Sequence, residues 1–431
     1  MTYRRSRKGS AEDRGKVVPF PAEQATKRHG LLGNLQRLVP GMVTGAANVD
    51  PSLVVTATVA GATFGYGLLW VVVLCVPFLE AIFGASATLG YETRKGLVDL
   101  LRENYGRRIA LACAGVVILI NMAMIIADLM AVSDALSIIL GHRRIYFVAA
   151  VAFSVWYILI FRNYRKVTDA LLYLSLPLCV YVAAAILSAP SPAEVLYRTF
   201  VPRVAATSSY AAAVLGLFGS LLTPYVLVWQ TSSRREQAVT GGERPHSFES
   251  HAGTLVTTIL SFSVLISAAS VLHFSHPMEM TTRQAAMALE PAVGMLGPIL
   301  FALGIIGAGM VALPVLVASM CYSVSEGMGW RSGLSENPWE AKSFYVLISL
   351  SMLVATIGNF FHINPVKALF MSQVLAGVLT VPILVFILVL SNDRRVMHTT
   401  NTRYRNFWIG AAIGGLLAAE LLWVFWAVSS G

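Results

Sequence analysis

Two prolines interrupt long apolar runs of this chain, and each stands beside polar groups that could bind a cation. The first interruption reads NVDPS at 48–52, and the second reads SLLTPY at 220–225. A proline removes a backbone donor and clashes with the carbonyl four residues earlier, so it tends to break a helix. An acid beside carbonyls released from a broken helix offers hard oxygen ligands, which suit cations such as Mg²⁺, Ca²⁺ and Mn²⁺.

Five residues around these interruptions form the candidate metal-binding set. Asp50 leads it, because a charged side chain inside an apolar run is costly and therefore indicates function; its alternative role is to cap the helix that follows. Thr223 could offer its hydroxyl or its carbonyl, although a bond to its own backbone is the usual role of such a residue. Asn48 and the carbonyls of Ala47 and Ser220, which precede the breaks by about one turn, complete the set.

Three further residues are candidates for the surroundings of the site or for the pathway of the ion. Asp128 lies in the third apolar run, where it needs a partner or water. A role on the pathway and a buried structural hydrogen bond both stay open for it. Tyr225 directly follows the second proline, and Thr380, which lies two residues before Pro382, could face the cavity or simply pack.

The remaining acids in apolar runs are expected to have structural roles. Asp134 and Glu80 lie nearer the ends of their runs, and Glu420 lies in the last run. Pairing or snorkelling to the surface is predicted for each of them. The histidines lie mainly in loops and at the ends of runs, without the spacing of a zinc site, and are predicted to be solvated.

The composition is that of a protein with many membrane-spanning helices. Of the 431 residues, 56% are hydrophobic and 13% are charged, whereas about a quarter of a soluble domain is charged. A helix needs roughly 20 apolar residues to cross a bilayer. This rule predicts eleven spans, near 38–62, 66–90, 108–140, 145–161, 167–188, 209–230, 252–273, 292–322, 343–360, 365–390 and 406–428.

The basic residues predict the orientation of these spans. The net charge is +10, but Lys and Arg fall in short loops between spans, which argues against nucleic acid as a partner. Most of the 32 lie on one side if the N-terminus is inside, as the positive-inside rule requires. We therefore predict a multi-pass protein of the bacterial inner membrane with a cytoplasmic N-terminus and an outside C-terminus. Residues 1–36 lack the apolar core of a signal peptide and predict a disordered, basic cytoplasmic tail.

The two breaks lie in the first and sixth predicted spans, which indicates an inverted repeat. Five is an odd number, so a second five-span unit has the opposite orientation to the first. This is the architecture of secondary transporters whose binding site lies at the midplane between two broken helices. The predicted units are 37–190 (spans 1–5) and 191–391 (spans 6–10), and 392–431 adds an eleventh span.

Motifs along the whole chain resemble those of one known family. Besides the two breaks, they are PGMVTG at 40–45, GYGLLW at 65–70, GYETRKGL at 90–97, ADL at 127–129, YRK at 164–166, NPVKAL at 364–369 and NDRR at 392–395. In these segments the chain resembles the natural resistance-associated macrophage protein (NRAMP) family of divalent-metal transporters over nearly all of residues 38–428. The resemblance implies an all-α LeuT-type membrane fold with a 5+5 inverted repeat, broken spans 1 and 6, and an added eleventh or twelfth helix.

Four positions depart from the pattern of typical family members. Leu53 stands in place of a metal-ligating Asn, Thr223 in place of a Met whose sulfur touches the metal, Tyr225 in place of a His, and Ala131 in place of a Glu. Loss of the thioether favours hard cations, and fewer ligands suit Mg²⁺, which keeps several of its waters. Loss of the His and the Glu removes titratable groups from the usual proton route. In these respects the chain is similar to the NRAMP-related magnesium transporter branch.

These observations predict a secondary transporter that imports a partly hydrated divalent cation by alternating access, with Mg²⁺ preferred, Mn²⁺ second and no obligatory proton coupling. The expected form is a monomer in the lipid bilayer, with no cofactor other than the transported ion. One alternative is a proton-coupled transporter of Mn²⁺ or Fe²⁺, and another is a LeuT-type transporter of a small cationic or zwitterionic organic solute. A sensor or channel is less favoured because the loops suggest no signalling domain or filter. An enzyme is not expected, because the sequence suggests no pairing of a nucleophile with a base.

Overall fold

The computed structural model describes residues 45, 48–161, 179–188, 191–239, 247–272, 280–289, 294–334, 336–361 and 364–429. Every regular element within these ranges is helical. The predicted N-terminal tail at 1–36, Ala47 and much of the predicted fifth span lie outside them.

The helices up to residue 200 begin with the one that follows the first break. They are α1 (Pro51–Phe64), α2 (Leu69–Thr93), α3 (Leu97–Tyr105), α4 (Arg107–Leu140), α5 (Ile145–Phe161), α6 (Val180–Leu187) and α7 (Pro192–Phe200). A 3₁₀ turn at Gly65–Leu68 separates α1 from α2. Gly65 has φ +57°, a conformation that residues with a Cβ rarely adopt, so glycine suits this turn.

The helices after residue 200 include the second break. They are α8 (Ser208–Leu221), α9 (Pro224–Val239), α10 (Ser247–Val271), α11 (Thr282–Ala286), α12 (Gly297–Met328), α13 (Lys342–Gly358), α14 (Pro365–Leu390) and α15 (Arg403–Ser429). Short 3₁₀ turns at Met287–Leu289 and Gly294–Leu296 lie between α11 and α12.

Each predicted span overlaps a helix of the described chain. In the described ranges, seven helical stretches are long and apolar enough to cross a membrane, or eight if α6 and α7 form one bent span, and α5 and α13 are shorter apolar helices. One stretch, Pro51–Thr93, covers the predicted first and second spans together. The helices α4 and α14 agree with the predicted third and tenth spans to within one residue. The count of eleven spans stays a prediction.

Prolines begin the helices that matter most for the site. Pro51 begins α1 and Pro224 begins α9, and Pro365 begins α14. Proline is favoured at the first helical position, because its missing N–H would have no partner there and its φ already suits the helix. Proline therefore starts the helix that follows each break, and at the second break it also follows the end of α8.

Glycines allow the broken helices to approach their neighbours closely. The helix α1 packs against α10, and α8 packs against α14. A Cβ added to Gly61 would lie 2.5 Å from the carbonyl oxygen of Leu265 in α10, and one added to Gly219 would lie 2.0 Å from the carbonyl oxygen of Gln373 in α14. Small residues at such contacts bring helix backbones together within a membrane. Both breaks are therefore held by close backbone contacts.

The last helix, α15, lies at the periphery. It packs against α2, α8 and α14, and only Ile409, Ala412, Leu416 and Ala419 of it are buried. Large apolar side chains such as Leu421, Phe425 and Val428 are exposed, as expected for a lipid-facing helix. That this helix is an addition outside the two repeat units stays a prediction.

Candidate ion-binding site

Asp50 lies at the start of α1 and is fully buried. Its backbone is extended (φ −85°, ψ 169°), and its Oδ1 accepts a hydrogen bond from the backbone N–H of Leu53 at 2.6 Å. Asp50 therefore caps α1, which was the alternative role predicted for it. Capping uses one side of one carboxylate oxygen, so it does not exclude cation binding by the same group.

The second break separates α8 from α9 by two residues. Leu222 leaves the helical conformation (φ −95°, ψ 42°) while its N–H still bonds to the carbonyl of Phe218 at 2.8 Å. Thr223 follows, fully buried, and Pro224 begins α9. Pro224 has no N–H to donate to the carbonyl of Ser220, four residues earlier, and Leu221 is the last residue of α8.

Three side-chain hydrogen bonds join the two breaks. Asn48 Nδ2 donates to the carbonyl of Leu221 at 3.1 Å, and the hydroxyl of Thr223 donates to Asn48 Oδ1. From the other half-helix, the Tyr225 hydroxyl donates to Asp50 Oδ2 at 3.2 Å. The structure therefore brings together four of the predicted residues, Asn48 and Asp50 from the first break and Thr223 and Tyr225 from the second. The two bonded pairs, Asn48 with Thr223 and Asp50 with Tyr225, are each 175 positions apart in sequence.

Asp128 lies on α4 beside this group and is also fully buried. The hydroxyl of Ser52 donates to its Oδ1 at 2.6 Å, and within the described residues its Oδ2 has no hydrogen-bond partner. Ser52 is two residues from Asp50, so two carboxylates lie near each other in the core. In the part of the chain that the structure describes, neither acid pairs with a Lys or Arg.

The hydroxyls of two predicted residues are bonded to their own helices. Ser220 donates to the carbonyl of Leu217 at 3.0 Å, and Thr380 donates to the carbonyl of Ala376. This is the usual role of Ser and Thr within a helix. The prediction for Ser220 concerned its carbonyl, which is unaffected by that bond, and Ala47 lies outside the described residues.

Two polar residues that the sequence analysis did not select also lie at the level of the breaks. One is Ser52, which bridges to Asp128 as described above. The other is Gln373 in α14, whose backbone touches Gly219 and whose fully buried amide has no hydrogen-bond partner among the described residues. A buried amide without partners is costly, which indicates a functional role for Gln373. The signal in the sequence is a polar residue within the otherwise apolar sequence of α14.

The residues at the departing positions add no carboxylate, imidazole or sulfur to the centre. Leu53 is buried and contributes only its backbone N–H to Asp50, and Ala131 is buried one turn after Asp128. Tyr225 is buried and serves as a donor to Asp50. No group of three or more His, Cys, Asp or Glu in the described residues could hold a metal ion.

The peripheral acids have structural surroundings. Glu80 pairs with His251, with 3.3 Å between Oε1 and Nδ1, as the prediction of pairing implied. His251 itself is about half exposed, in keeping with a solvated residue. In α15, the Oε1 of Glu420 is buried without a hydrogen-bond partner in the described ranges, while the residue as a whole is partly exposed.

A third buried acid, Glu326, lies near the end of α12, away from the breaks, and was not predicted. Its Oε2 accepts from the backbone N–H of Val98 in the first turn of α3 at 3.2 Å. Its Oε1 accepts from the hydroxyl of Ser232 at 2.9 Å and lies 3.4 Å from a guanidinium nitrogen of Arg235, both on α9. Arg235 also lies 3.6 Å from Asp99. We refer to Asp99, Ser232, Arg235 and Glu326 as the α3 cluster.

The α3 cluster is electrostatically mixed. Asp99 also accepts from Arg102 at 2.9 Å. Burial raises the pKa of the Asp99 carboxyl, and the guanidinium groups of Arg102 and Arg235 partly offset that rise. The cluster joins α3, α9 and α12, so it fixes the end of the second broken helix that is remote from its proline.

A cavity lies at the opposite end of α1 from Asp50. Its volume is about 550 Å³, and it is open to the surface. In the predicted topology this end faces the outside. The lining residues include Phe64, Gly65, Tyr66, Glu194, Arg198, Arg203 and Ser270.

Comparison with known proteins places this architecture in a family. A sequence model described as "Natural resistance-associated macrophage protein-like" matches residues 41–426. Among solved structures, a manganese transporter of Eremococcus coleocola is similar with a TM-score of 0.71 at 18% identity, covering 96% of this chain and 90% of that one.

Two further solved structures share the fold. MhsT in complex with L-phenylalanine is similar with a TM-score of 0.60 at 13% identity, covering 90% of this chain and 98% of that one. The nucleobase-cation-symport-1 family transporter Mhp1 is similar with a TM-score of 0.51 at 12% identity, covering 91% and 93% of the two chains. The predicted LeuT-type membrane fold is thereby confirmed, and the chain is an integral, multi-pass membrane protein.

Proposed function

Because the chain belongs to the natural resistance-associated macrophage protein family, we propose that it transports divalent metal cations across a membrane and is not an enzyme. The observation that carries the proposal is the position of Asp50. This acid is fully buried where the two broken helices meet, and no Lys or Arg of the described chain pairs with it. The similarity to a manganese transporter agrees with a metal cargo.

The energetics of Asp50 support a bound cation. A carboxylate removed from water is costly unless it is paired or hydrogen-bonded. Leu53 and Tyr225 supply one donor to each of its oxygens, which leaves the negative charge itself uncompensated. A divalent cation would compensate that charge. When the cation left the site, the cost of the buried charge would return, as expected of a site that binds and releases its ion.

The donor types support Mg²⁺ as the preferred cargo and Mn²⁺ as the second. The polar groups around the breaks are oxygens, from the carboxylate of Asp50, the hydroxyl of Thr223 and released carbonyls, and we add the amide oxygen of Gln373 as a candidate. Hard oxygen ligands suit Mg²⁺ and Mn²⁺, whereas a thioether would favour softer ions. Mg²⁺ is usually held by few protein ligands and several retained waters.

We further propose that import needs no obligatory proton. The membrane potential acts on both charges of the ion, at about 2.3 kcal/mol per charge per 100 mV, so it supplies about 4.6 kcal/mol per ion at 100 mV. Ala131 and Tyr225 stand where the family pattern has a Glu and a His. Alternating access would then move one helical unit against the other around the ion between the breaks.

A second candidate function is proton-coupled transport of Mn²⁺ or Fe²⁺. One observation favours it: the unpartnered Oδ2 of Asp128 lies close to the Asp50 centre. Two neighbouring buried carboxylates disfavour double ionisation, so one of them could hold a proton. The organic-solute alternative has only the shared fold in its support.

Flux measurements in proteoliposomes test the proposal. With an internal Mg²⁺ dye and an inside-negative potential, the protein should admit Mg²⁺ and, by quenching of a second dye, Mn²⁺, without acidification of the lumen. Asp50→Asn should lose both fluxes, whereas Glu420→Gln, which changes another acid within a span, should keep them. Metal entry that always brings protons would favour the second candidate. Absence of both fluxes in the unmodified protein would refute divalent-metal transport.

A further inference from the structure

The side chain of Asn48, at the first break, contacts the last residue of α8 and the second break itself. A backbone carbonyl can only accept a hydrogen bond, so the atom that meets the Leu221 carbonyl must be Nδ2. This assignment leaves Oδ1 to face the hydroxyl of Thr223. The amide is fully buried. Its nitrogen bonds to Leu221 and its oxygen to Thr223.

This geometry determines which way the Thr223 hydroxyl points. A hydroxyl has one proton and two lone pairs, and its proton is directed to Asn48 Oδ1. The lone pairs therefore face away from Asn48. A hydroxyl that binds a cation must present lone pairs to it and turn its proton elsewhere, which is the orientation that Asn48 imposes.

The same amide also occupies the Leu221 carbonyl. That carbonyl lies at the end of α8 and accepts from Nδ2, which uses one of its two lone pairs and places an amide N–H in front of it. A cation would have to compete with this N–H for the Leu221 oxygen, whereas the lone pairs of the Thr223 hydroxyl face away from Asn48. One side chain thus favours one oxygen as a ligand and disfavours another.

We propose that Asn48 is a positioning residue that determines the cation specificity of the site, which rests on the function proposed above. It orients the Thr223 hydroxyl as a ligand and disfavours the Leu221 carbonyl as one. A site with few fixed oxygens favours Mg²⁺, which keeps its waters, over Ca²⁺, which takes six to eight oxygen ligands. This role differs from direct coordination, which the sequence analysis had predicted for Asn48.

Equilibrium binding to the purified protein tests the role of Asn48. Titration with MgCl₂ and CaCl₂ compares the unmodified protein with Asn48→Ala and with Asn48→Leu, which keeps the volume of the side chain. Loss of a group that orients a ligand typically weakens metal affinity about 10- to 100-fold. Both variants should weaken Mg²⁺ binding to this extent and raise the preference for Ca²⁺ over Mg²⁺.

A double-mutant cycle separates orientation of Thr223 from a general structural effect. If Asn48 acts through the hydroxyl, Asn48→Ala should cost little further Mg²⁺ affinity in a Thr223→Val protein, and should again cost about tenfold or more in a Thr223→Ser protein, which retains a hydroxyl. A merely structural role would give the same loss in both backgrounds. Thermal unfolding identifies folded variants, and Asn48→Leu replaces Asn48→Ala if the latter does not unfold cooperatively.

The outcomes distinguish this inference from the proposed function. Additive losses in the double-mutant cycle would overturn the inference, and so would unchanged Mg²⁺ affinity and Ca²⁺ preference in both Asn48 variants. In either case, metal binding that still depends on Asp50 would leave the proposed function standing. If the unmodified protein bound neither Mg²⁺ nor Mn²⁺, the proposed function would fail first and the inference with it.

Discussion

Asp50 and Glu326 are two buried acids with nearly the same hydrogen-bonding partners and one difference. Each accepts from a backbone N–H in the first turn of a helix, Leu53 for Asp50 and Val98 for Glu326. Each also accepts from a side-chain hydroxyl, of Tyr225 in one case and Ser232 in the other. Only Glu326 has a guanidinium beside it, 3.4 Å away.

The difference separates Asp50, which we propose as the ion ligand, from Glu326, which links helices. A buried charge that has a permanent counter-charge is balanced within the fold, and removing one partner leaves the other uncompensated. A buried charge with hydrogen-bond donors but no counter-ion in the described chain is incompletely balanced. Asp50 is therefore suited to a cation that comes and goes, whereas Glu326 is suited to holding α3, α9 and α12 together.

The largest expected effect concerns transport at Asp50. Asp50→Asn keeps an oxygen that can cap α1 but removes the charge, so saturable Mg²⁺ flux into proteoliposomes should fall to the level of empty liposomes. The thermal unfolding temperature should be unchanged or higher, because a costly buried charge has been removed. Normal flux in this variant would place the site elsewhere, with Asp128 the next candidate.

The reverse pattern is expected at Glu326. Glu326→Gln leaves Arg235 without its buried partner, and breaking a buried ion pair typically costs about 3–5 kcal/mol. The expected loss is at the lower end, because Arg235 keeps Asp99 and the carbonyl of Ser332. Thermal unfolding in detergent measures it, and Mg²⁺ affinity of the folded protein should stay within about twofold.

Removing both charges of that pair supplies the control. The double variant Glu326→Gln with Arg235→Gln should be less destabilised than the sum of the two single variants, since neither charge is then left unpaired. An equal or larger loss would show that Glu326 stabilises the protein mainly through Val98 and Ser232. Asp50 has no Lys or Arg partner among the described residues. A double variant that is less destabilised than the sum of its single variants is therefore expected only at the α3 cluster.

A smaller effect is expected from changing the ligand type at the second break. Thr223→Met replaces a hard hydroxyl oxygen by a thioether, which favours softer ions. Competition of Cd²⁺ against Mg²⁺ uptake should become stronger, by about tenfold. Thr223→Leu, which is apolar but has no sulfur, is the matched control and should weaken Mg²⁺ uptake without strengthening that competition. If Thr223→Met left the selectivity unchanged, Thr223 would not face the ion.

Removing the hydroxyl donors around the buried acids should affect stability at a level comparable to that tenfold change. Ser52→Ala removes the donor to Asp128, whose other oxygen has no partner in the described chain, and should cost about 1–3 kcal/mol. Ser232→Ala should cost less, because Glu326 keeps Arg235 and Val98. Unfolding measurements on the two variants give the order, and a larger loss at Ser232 would contradict the difference drawn between the two regions.

The sequence predicted the elements of this fold because their signals are local. Hydropathy indicated the helices, and α14 spans the predicted residues 365–390. Proline chemistry indicated both breaks, because the loss of a donor and the clash with a carbonyl act within a single turn. The candidate residues Asp50 and Thr223 follow from their positions beside those prolines.

The hydrogen bonds between the breaks could not be predicted from the sequence. Asn48 meets Thr223, and Tyr225 meets Asp50, only when α1 and α9 have a particular rotation and depth relative to each other. Glu326 could not be assigned to Val98 and Arg235 for the same reason, although an acid near the end of an apolar helix was visible. A polar residue in the apolar sequence of α14 was visible at Gln373, but only the structure shows that its amide is buried without a partner among the described residues.

The sequence by itself determined where the helices break, that an acid stands at one break, and that neither sulfur nor imidazole stands at the other, since these depend on residue type and local backbone sterics. Only the tertiary structure decided which polar groups satisfy one another across the breaks. It paired Glu326 with Arg235 and gave Asp50 two donors and no cation among the described residues. That outcome depends on how helices distant in sequence pack, because a buried charge is balanced by whatever the fold places beside it.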